Sequence, residues 1–341
     1  MVVLSALYVL YRVRRVVLMV FAAVLLAYLL APVLNLLERF TRGRLSRALS
    51  LAVVYLLFVA LLVSLGAVIG NRVGEEASAL AARFPGWIQA LAAEPGATES
   101  AWLAAARRSV LETLRAKLEN IGQEALPLIQ KATAGVVSLV GGLIVLVIVP
   151  VLSFFLLKDG AELKERLLAG LSAPRRAVWE NVLDDVHRLL GKFIRALTLL
   201  SVATFVVYGA AFALMGIPYA VLLATLAGVL EFIPVLGPLM AATAAALVVV
   251  ISGQGSFWAL VTFLGGYRLF QDYVLQPHLM SAGLALHPVL VVSGALAGEA
   301  VAGVPGMFLS IPVMATLRIL YVRLQKARTC ADGDEGLNSA L

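Results

Sequence analysis

The residues of this chain best suited to chemistry are a few acids and amides set inside apolar sequence. At 231–238 the run Glu-Phe-Ile-Pro-Val-Leu-Gly-Pro puts Glu231 beside Pro234, Gly237 and Pro238, in the middle of an otherwise apolar stretch from Ile217 to Ile251. Proline lacks an amide hydrogen and clashes with the preceding turn, so a helix has to break there. Carbonyls freed by the break are costly in lipid unless they face protein or a water-lined cavity. Two short helical segments joined by an irregular elbow are therefore expected, an arrangement whose helix ends and unwound backbone can hold a solute. The other role that fits is a proline kink at a span end, with Glu231 snorkelling to the interface.

A second set comprises Arg268, Gln271, Asp272, Gln276, Pro277 and His278. Arg268 and Asp272 stand four apart and share a helix face, where they can pair. They serve either a polar path or an interfacial ion pair at the cytoplasmic end of a span. His287, followed by Pro288, is either a proton relay near neutral pH or a cap at a packed turn. The third set is Gly294, Gly298, Gly303 and Gly306 with Glu299, Pro305 and Pro312, where backbones can approach closely and helix geometry can give way. Glu299 is either a second carboxylate on the path or a loop residue in headgroup water.

None of these sets is a catalytic constellation. The three histidines, His187, His278 and His287, lack metalloprotease spacing, and neither a nucleophile elbow nor a phosphate-cradling glycine loop occurs. Cys330 is the sole cysteine, so neither an internal disulfide nor a multi-thiolate zinc site can form within one chain. Neither enzymatic activity, a metal nor a cofactor is expected.

The elements that must position these residues are set by composition. Of 341 residues 62% are hydrophobic and only 14% charged, with mean hydropathy +0.97, too little charge to cover a soluble protein of this length. The net charge of +7 is spread over the ends of apolar runs instead of massed on an aromatic-interleaved face, which excludes a nucleic-acid partner. The fold class is therefore all-α, a polytopic membrane protein with the lipid bilayer as its surroundings. Long runs without alternation are not barrel strands.

Runs long enough to cross roughly 30 Å of hydrocarbon are Val16–Leu37, Ala48–Ile69, Ala134–Leu157 and Phe193–Met215, then the broken Ile217–Ile251, Ser256–Val274 and Val304–Leu324, while Leu284–Leu296 is too short to cross by itself and reads as re-entrant. This predicts seven or eight transmembrane helices. Residues 1–69 form N-terminal membrane helices, 70–133 an extramembrane helical domain, 134–157 a membrane helix, 158–192 an amphipathic cytoplasmic segment, 193–325 a C-terminal membrane core and 326–341 a polar tail. In 70–133 the face Trp102, Leu103, Val110, Leu114, Leu118 and Ile121 marks an amphipathic helix, and in 158–192 Leu163, Leu167, Leu171, Val178, Val182, Val186 and Leu189 make a stripe suited to internal packing, a membrane surface or a neighbouring subunit.

Basic residues orient the chain. Arg39, Arg42, Arg44 and Arg47 put the first loop in the cytoplasm, the basic 158–192 segment joins it there, and Arg318, Arg323, Lys326 and Arg328 place the C-terminus inside. Charge-balanced 70–133 then lies outside. Arg12, Arg14 and Arg15 follow the first apolar stretch, which is not the order of a cleavable signal peptide. They also lie one crossing from another basic loop, unless residues 1–37 form a helical hairpin.

The chain resembles the autoinducer-2 exporter family of bacterial membrane proteins, the PerM-like permeases, over nearly its whole length. The resemblance rests on E-F-I-P-V-L-G-P at 231–238, Q-D-Y-V-L-Q-P-H leading to L-A-L-H-P at 284–288, the series G-E-A-V-A-G-V-P-G on the way to Pro312, and A-Y-L-L-A-P at 27–32 before a basic loop. Ser281 and Ala282 stand where the family pattern often has glycine and lysine. The resemblance implies an inner-membrane transporter of about eight helices, export of the signal autoinducer-2 or exchange of sodium or lithium for protons, and a homo-oligomer, up to a pentamer.

Three functions fit these features. The first is a permease for a small polar solute, without a nucleotide-binding motif and hence driven by a gradient or a partner. The second is a cation/proton antiporter using Glu231, Asp272 or Glu299. The third is a non-transporting scaffold that binds proteins through its extramembrane helices.

Overall fold

The computed structural model of the chain describes residues 2–42, 44–92, 140–233, 236–279 and 287–338, and every regular element among them is a helix. In order these are α1 (Val2–Phe40), α2 (Arg47–Ala92), α3 (Val140–Leu168), α4 (Ala173–Leu214), α5 (Ala220–Leu230), α6 (Leu236–Ser252), α7 (Phe257–Phe270), a π-helical turn (Gln271–Leu275), α8 (Gln276–Leu279) and α9 (Pro288–Asn338). Among the described residues four runs are long and apolar enough to cross a membrane: Val16–Phe40, Arg47–Arg83, Ala173–Leu214 and Val289–Gln325. The expected amphipathic helix of 99–121 lies outside the described residues, as do Pro234, Ser281 and Ala282.

Apolar faces sort the helices into two groups. Leu30 and Leu34 of α1, Leu51 and Val54 of α2, and Phe154 and Leu157 of α3 make one core, fastened by a 2.6 Å hydrogen bond between the hydroxyls of Tyr55 and Ser153. The larger core joins Tyr208 and Phe212 of α4 to Leu223, Ala227 and Leu230 of α5, Ala245 and Val249 of α6, and Leu260 and Tyr267 of α7. Between them, Leu25 of α1, Phe193 and Leu197 of α4, and Leu309 of α9 form the seam. The outer faces carry apolar side chains, Leu56, Val63 and Val68 of α2 among them, each about two-thirds exposed or more and suited to lipid.

Three features revise the one-dimensional picture. Residues 1–37 are not a hairpin, since α1 runs unbroken through Pro32, and the N-terminal arginines lie about 36 Å along the axis from Arg39. The 158–192 segment is not a separate element. It consists of the end of α3, the turn at 169–172 and the start of α4, whose 42 residues run on into the membrane span. Charge ends a hydropathy window, but it does not end a helix. These two extensions are clasped by Lys164–Asp184 and Arg176–Glu165, each at 2.6 Å, and of the predicted stripe Val182 is buried while Leu163 and Leu167 are exposed.

Third, four apolar segments pair into two hairpins. A Cβ on Gly255, just past α6, would lie 3.1 Å from Ile217 and 3.6 Å from the carbonyl of Met215, just before α5. The chain therefore returns beside its starting point, and α5 and α6 are two arms of a hairpin whose elbow lies between Leu230 and Leu236. In α9 the conformation of Gly303 (φ 65, ψ −148), a region open essentially to glycine, interrupts the helix. Gly294 sits against Met314 and Ser310, and a Cβ on Gly298 would strike the Gly306 carbonyl. In a straight helix Gly294 and Met314 would be about 30 Å apart. α9 is thus a second hairpin with its tip at Gly303.

Candidate functional site

The elbow of the first hairpin is held by close backbone packing. A Cβ on Gly237 would fall 1.8 Å from the carbonyl oxygen of Leu230, so only glycine fits. Small residues also bring α5 against α4: Gly228 faces Ser201 and Phe205, and the Ser201 hydroxyl donates to the Gly228 carbonyl at 2.7 Å. At the other end of α5, Tyr219 adopts a left-handed conformation (φ 61) and Glu76 of α2 accepts the amide hydrogen of Leu222 at 2.8 Å. A carboxylate there satisfies an orphan amide and complements the positive helix end.

Glu231 occupies the opposite end of α5, as its C-cap. A carboxylate at the negative end of a helix is placed against the dipole, so its surroundings must hold it. They do so with two donors. The side-chain amide of Gln271, itself 2% exposed, donates to Glu231 Oε1, and the hydroxyl of Thr204, also 2% exposed, donates to Oε2 at 3.4 Å. Thr204 Oγ1 lies 3.0 Å from the hydroxyl of Tyr267. With its single proton committed to Glu231, Thr204 accepts from Tyr267, giving a chain from Tyr267 through Thr204 to Glu231. Tyr208, Phe212 and Phe263 wall this cluster with edge-on and stacked ring contacts.

Gln271 opens the π-helical turn after α7, a local widening found often at functional sites. The next polar residues continue along that helix. Asp272 accepts from Arg268 at 2.9 Å and from Gln276 at 3.1 Å. The Arg268–Asp272 pair is more than a third exposed at both side chains, in keeping with an ion pair of small energetic weight.

The second hairpin meets the first near both tips. Phe232, next to Glu231, packs edge-on against Phe308 with ring centroids 5.4 Å apart, and Met307 reaches the core containing Leu230 and Tyr267. Thr204 is ten residues from the end of α4 and Glu231 eleven from the start of α5, each about 15–16 Å, or half a hydrocarbon thickness.

Among the residues singled out by sequence, Glu231 and Gln271 are joined directly, and Arg268, Asp272 and Gln276 form an adjoining network. Gly237 and the half-buried Pro238 build the elbow. Gly298, Gly303 and Gly306 build the second hairpin, and Glu299 is exposed on its first arm. His278 follows Pro277 on α8 and donates to the carbonyl of Val274 in the preceding π-helical turn at 2.6 Å, and His287 accepts from the Val289 amide at 3.3 Å as a cap on α9. Sequence inspection missed Thr204, Tyr267, Ser201 and Glu76. Thr204, Tyr267 and Ser201 are ordinary residues inside apolar spans, and only the fold brings them to the elbow.

Comparison with known proteins finds relatives among transport proteins. YrrI of Bacillus subtilis, a transport protein by name, is 27% identical over 201 residues, 59% of this chain and 57% of its own length. YueF of the same organism, also a transport protein by name, is 24% identical over 315 residues, 89% of this chain and 84% of its own. MT0215 of Mycobacterium tuberculosis, again a transport protein by name, is 34% identical over 125 residues, 36% of this chain and 34% of its own. A family model for AI-2E family transporters matches residues 1–326, and the chain therefore belongs to this family of membrane transport proteins.

Proposed function

We propose that the chain is a permease of the bacterial inner membrane that moves a small polar organic solute outward, autoinducer-2-like by family, through a site at the elbow of the first hairpin. The observation that carries this is the Glu231–Gln271–Thr204–Tyr267 cluster at the end of a half-length helix, about 16 Å from the hairpin's base. It offers acceptors at Glu231 and Asp272, donors at Gln271 and Arg268, and an aromatic wall. That balance suits a hydroxyl- and carbonyl-bearing solute, with Glu231 supplying charge or a proton. Gly298 to Gly306 forms the flexible turn that closes on the elbow from the second hairpin, and Gln276, Pro277, His278 and His287 flank the path.

In this scheme 158–192 and the C-terminus are cytoplasmic and 70–133 is outside. Supporting this, Arg323 near the end of the apolar run Val289–Gln325 of α9 binds Asp185 in the basic, extended part of α4, so both belong to one side. The domain limits inferred from sequence follow the same sides. Homo-oligomers up to a pentamer, implied by family resemblance, fit the broad apolar surface of α2.

The test is a flux screen on purified protein in proteoliposomes. Saturable counterflow of one class of small polyhydroxylated solute is expected. Movement of no solute, together with a sodium-driven pH change, would overturn the proposal.

A further inference from the structure

Between α1 and α4, away from the elbow, lies a cavity of about 320 Å³ whose polar lining is Tyr28, Asn35, Arg39, His187 and Arg195, with Gly191 opening its floor. A Cβ on Gly191 would already touch the Tyr28 ring at 3.6 Å, so a larger side chain there would fill the space. Tyr28 and His187 are fixed to each other by a 3.0 Å hydrogen bond and by ring contact at 5.1 Å. The lining contains no carboxylate, and neither Arg39 nor Arg195 is ion-paired among the described residues. Two free guanidiniums, an imidazole and an amide around one space match an anion, and arginine's planar fork matches phosphate.

The surroundings identify the source of that phosphate. Arg39 closes an apolar span, Leu36 of the same helix lines the cavity while remaining 55% exposed, and Val33, one turn earlier, is 46% exposed, so the cavity adjoins an open apolar surface. A headgroup in the cavity would leave its acyl chains along this surface, whereas a free ion gains nothing from it. Basic pockets between membrane helices at the headgroup level hold anionic lipids in this way. We infer that the α1–α4 cavity is a binding site for the phosphodiester headgroup of an anionic phospholipid. The site is independent of the elbow and of which solute passes there.

The test uses full-length protein in neutral detergent, titrated with dioleoylphosphatidylglycerol, dioleoylphosphatidylcholine or inorganic phosphate. Bound lipid is read by native mass spectrometry and stability by thermal unfolding. The phosphatidylglycerol is expected to be retained and to raise Tm, and the other two to do neither. Arg39→Gln with Arg195→Gln should weaken its binding about tenfold or more. The charge-matched Lys158→Gln with Arg175→Gln should leave it unchanged. Gly191→Leu, which fills the cavity without altering charge, should also weaken binding, and this arm stands if the arginine variant does not fold. Undiminished phosphatidylglycerol binding in either cavity variant would overturn the inference. So would an equal Tm rise with inorganic phosphate alone, which would mark a free-ion site.

Discussion

Replacing Gly306 by alanine should open the second hairpin. Its Cβ would lie 1.9 Å from the Gly298 carbonyl oxygen and 3.0 Å from the Ala302 side chain. To restore an ordinary 3.4 Å contact the two backbones must part by about 1.5 Å, and packed cores resist such shifts at about 1–3 kcal/mol or more. The matched control is Gly265→Ala. Gly265 lies inside α7 with nothing within 4 Å of a built Cβ, so alanine's better helix propensity should leave stability unchanged or raise it by up to about 1 kcal/mol. The assay is reversible denaturation in detergent, joined to cross-linking of cysteines placed at Gly294 and Met314 with Cys330 replaced by serine. Gly306→Ala should lose at least 1 kcal/mol relative to Gly265→Ala and reduce the 294–314 cross-link. Equal stability of the two variants, or no cross-link in the otherwise native chain, would refute the hairpin and return α9 to a straight helix.

Three more outcomes follow from single contacts. Gln271→Leu keeps side-chain volume but removes the principal donor to Glu231, and should cost about 1–3 kcal/mol in denaturation, where an unchanged midpoint would show that the carboxylate does not depend on it. Glu76→Ala removes the acceptor for Leu222 at the head of α5 and should cost about 0.5–2 kcal/mol, whereas the same change at the exposed, salt-paired Glu75 should cost less. Burial pushes the Asp185 carboxyl up, yet hydrogen bonds from Arg323 and Arg188 outweigh it and hold the group below its ordinary value. Its contribution is therefore present at neutral pH and lost as pH falls below about 4, so Asp185→Asn should lower Tm at pH 7 and flatten the acid decline, and parallel pH profiles would contradict this.

What the sequence conveyed well was local. Two prolines and a glycine within five residues announce a break in any apolar helix, and of these Gly237 and Pro238 stand in the first turn of α6, at the elbow. The i, i+4 pair Arg268–Asp272 needed only a helix to form. The link from Glu231 to Gln271 spans forty residues, and that to Thr204 twenty-seven, so neither has a local signature. The glycines of 294–306 were visible as a weak point, but a kink and a full reversal share the same composition. What decides between them is the fit of Gly298 against Gly306, a tertiary contact. Likewise, the stripe of 158–192 has helical spacing throughout, and periodicity does not say that its two halves belong to α3 and α4.

The central claim is that Glu231 at the elbow contacts the transported solute. The most direct measurement is counterflow of the solute from the flux screen in proteoliposomes holding equal amounts of folded wild-type and Glu231→Gln protein, with Glu299→Gln as the control acid at the other hairpin. Glutamine keeps the shape of Glu231 while removing its charge. The account predicts that Glu231→Gln loses at least tenfold in rate, the scale on which truncating one partner of a charged contact is felt, with its melting midpoint nearly retained, and that Glu299→Gln transports normally. Wild-type flux by Glu231→Gln, with the protein folded and correctly inserted, would contradict it.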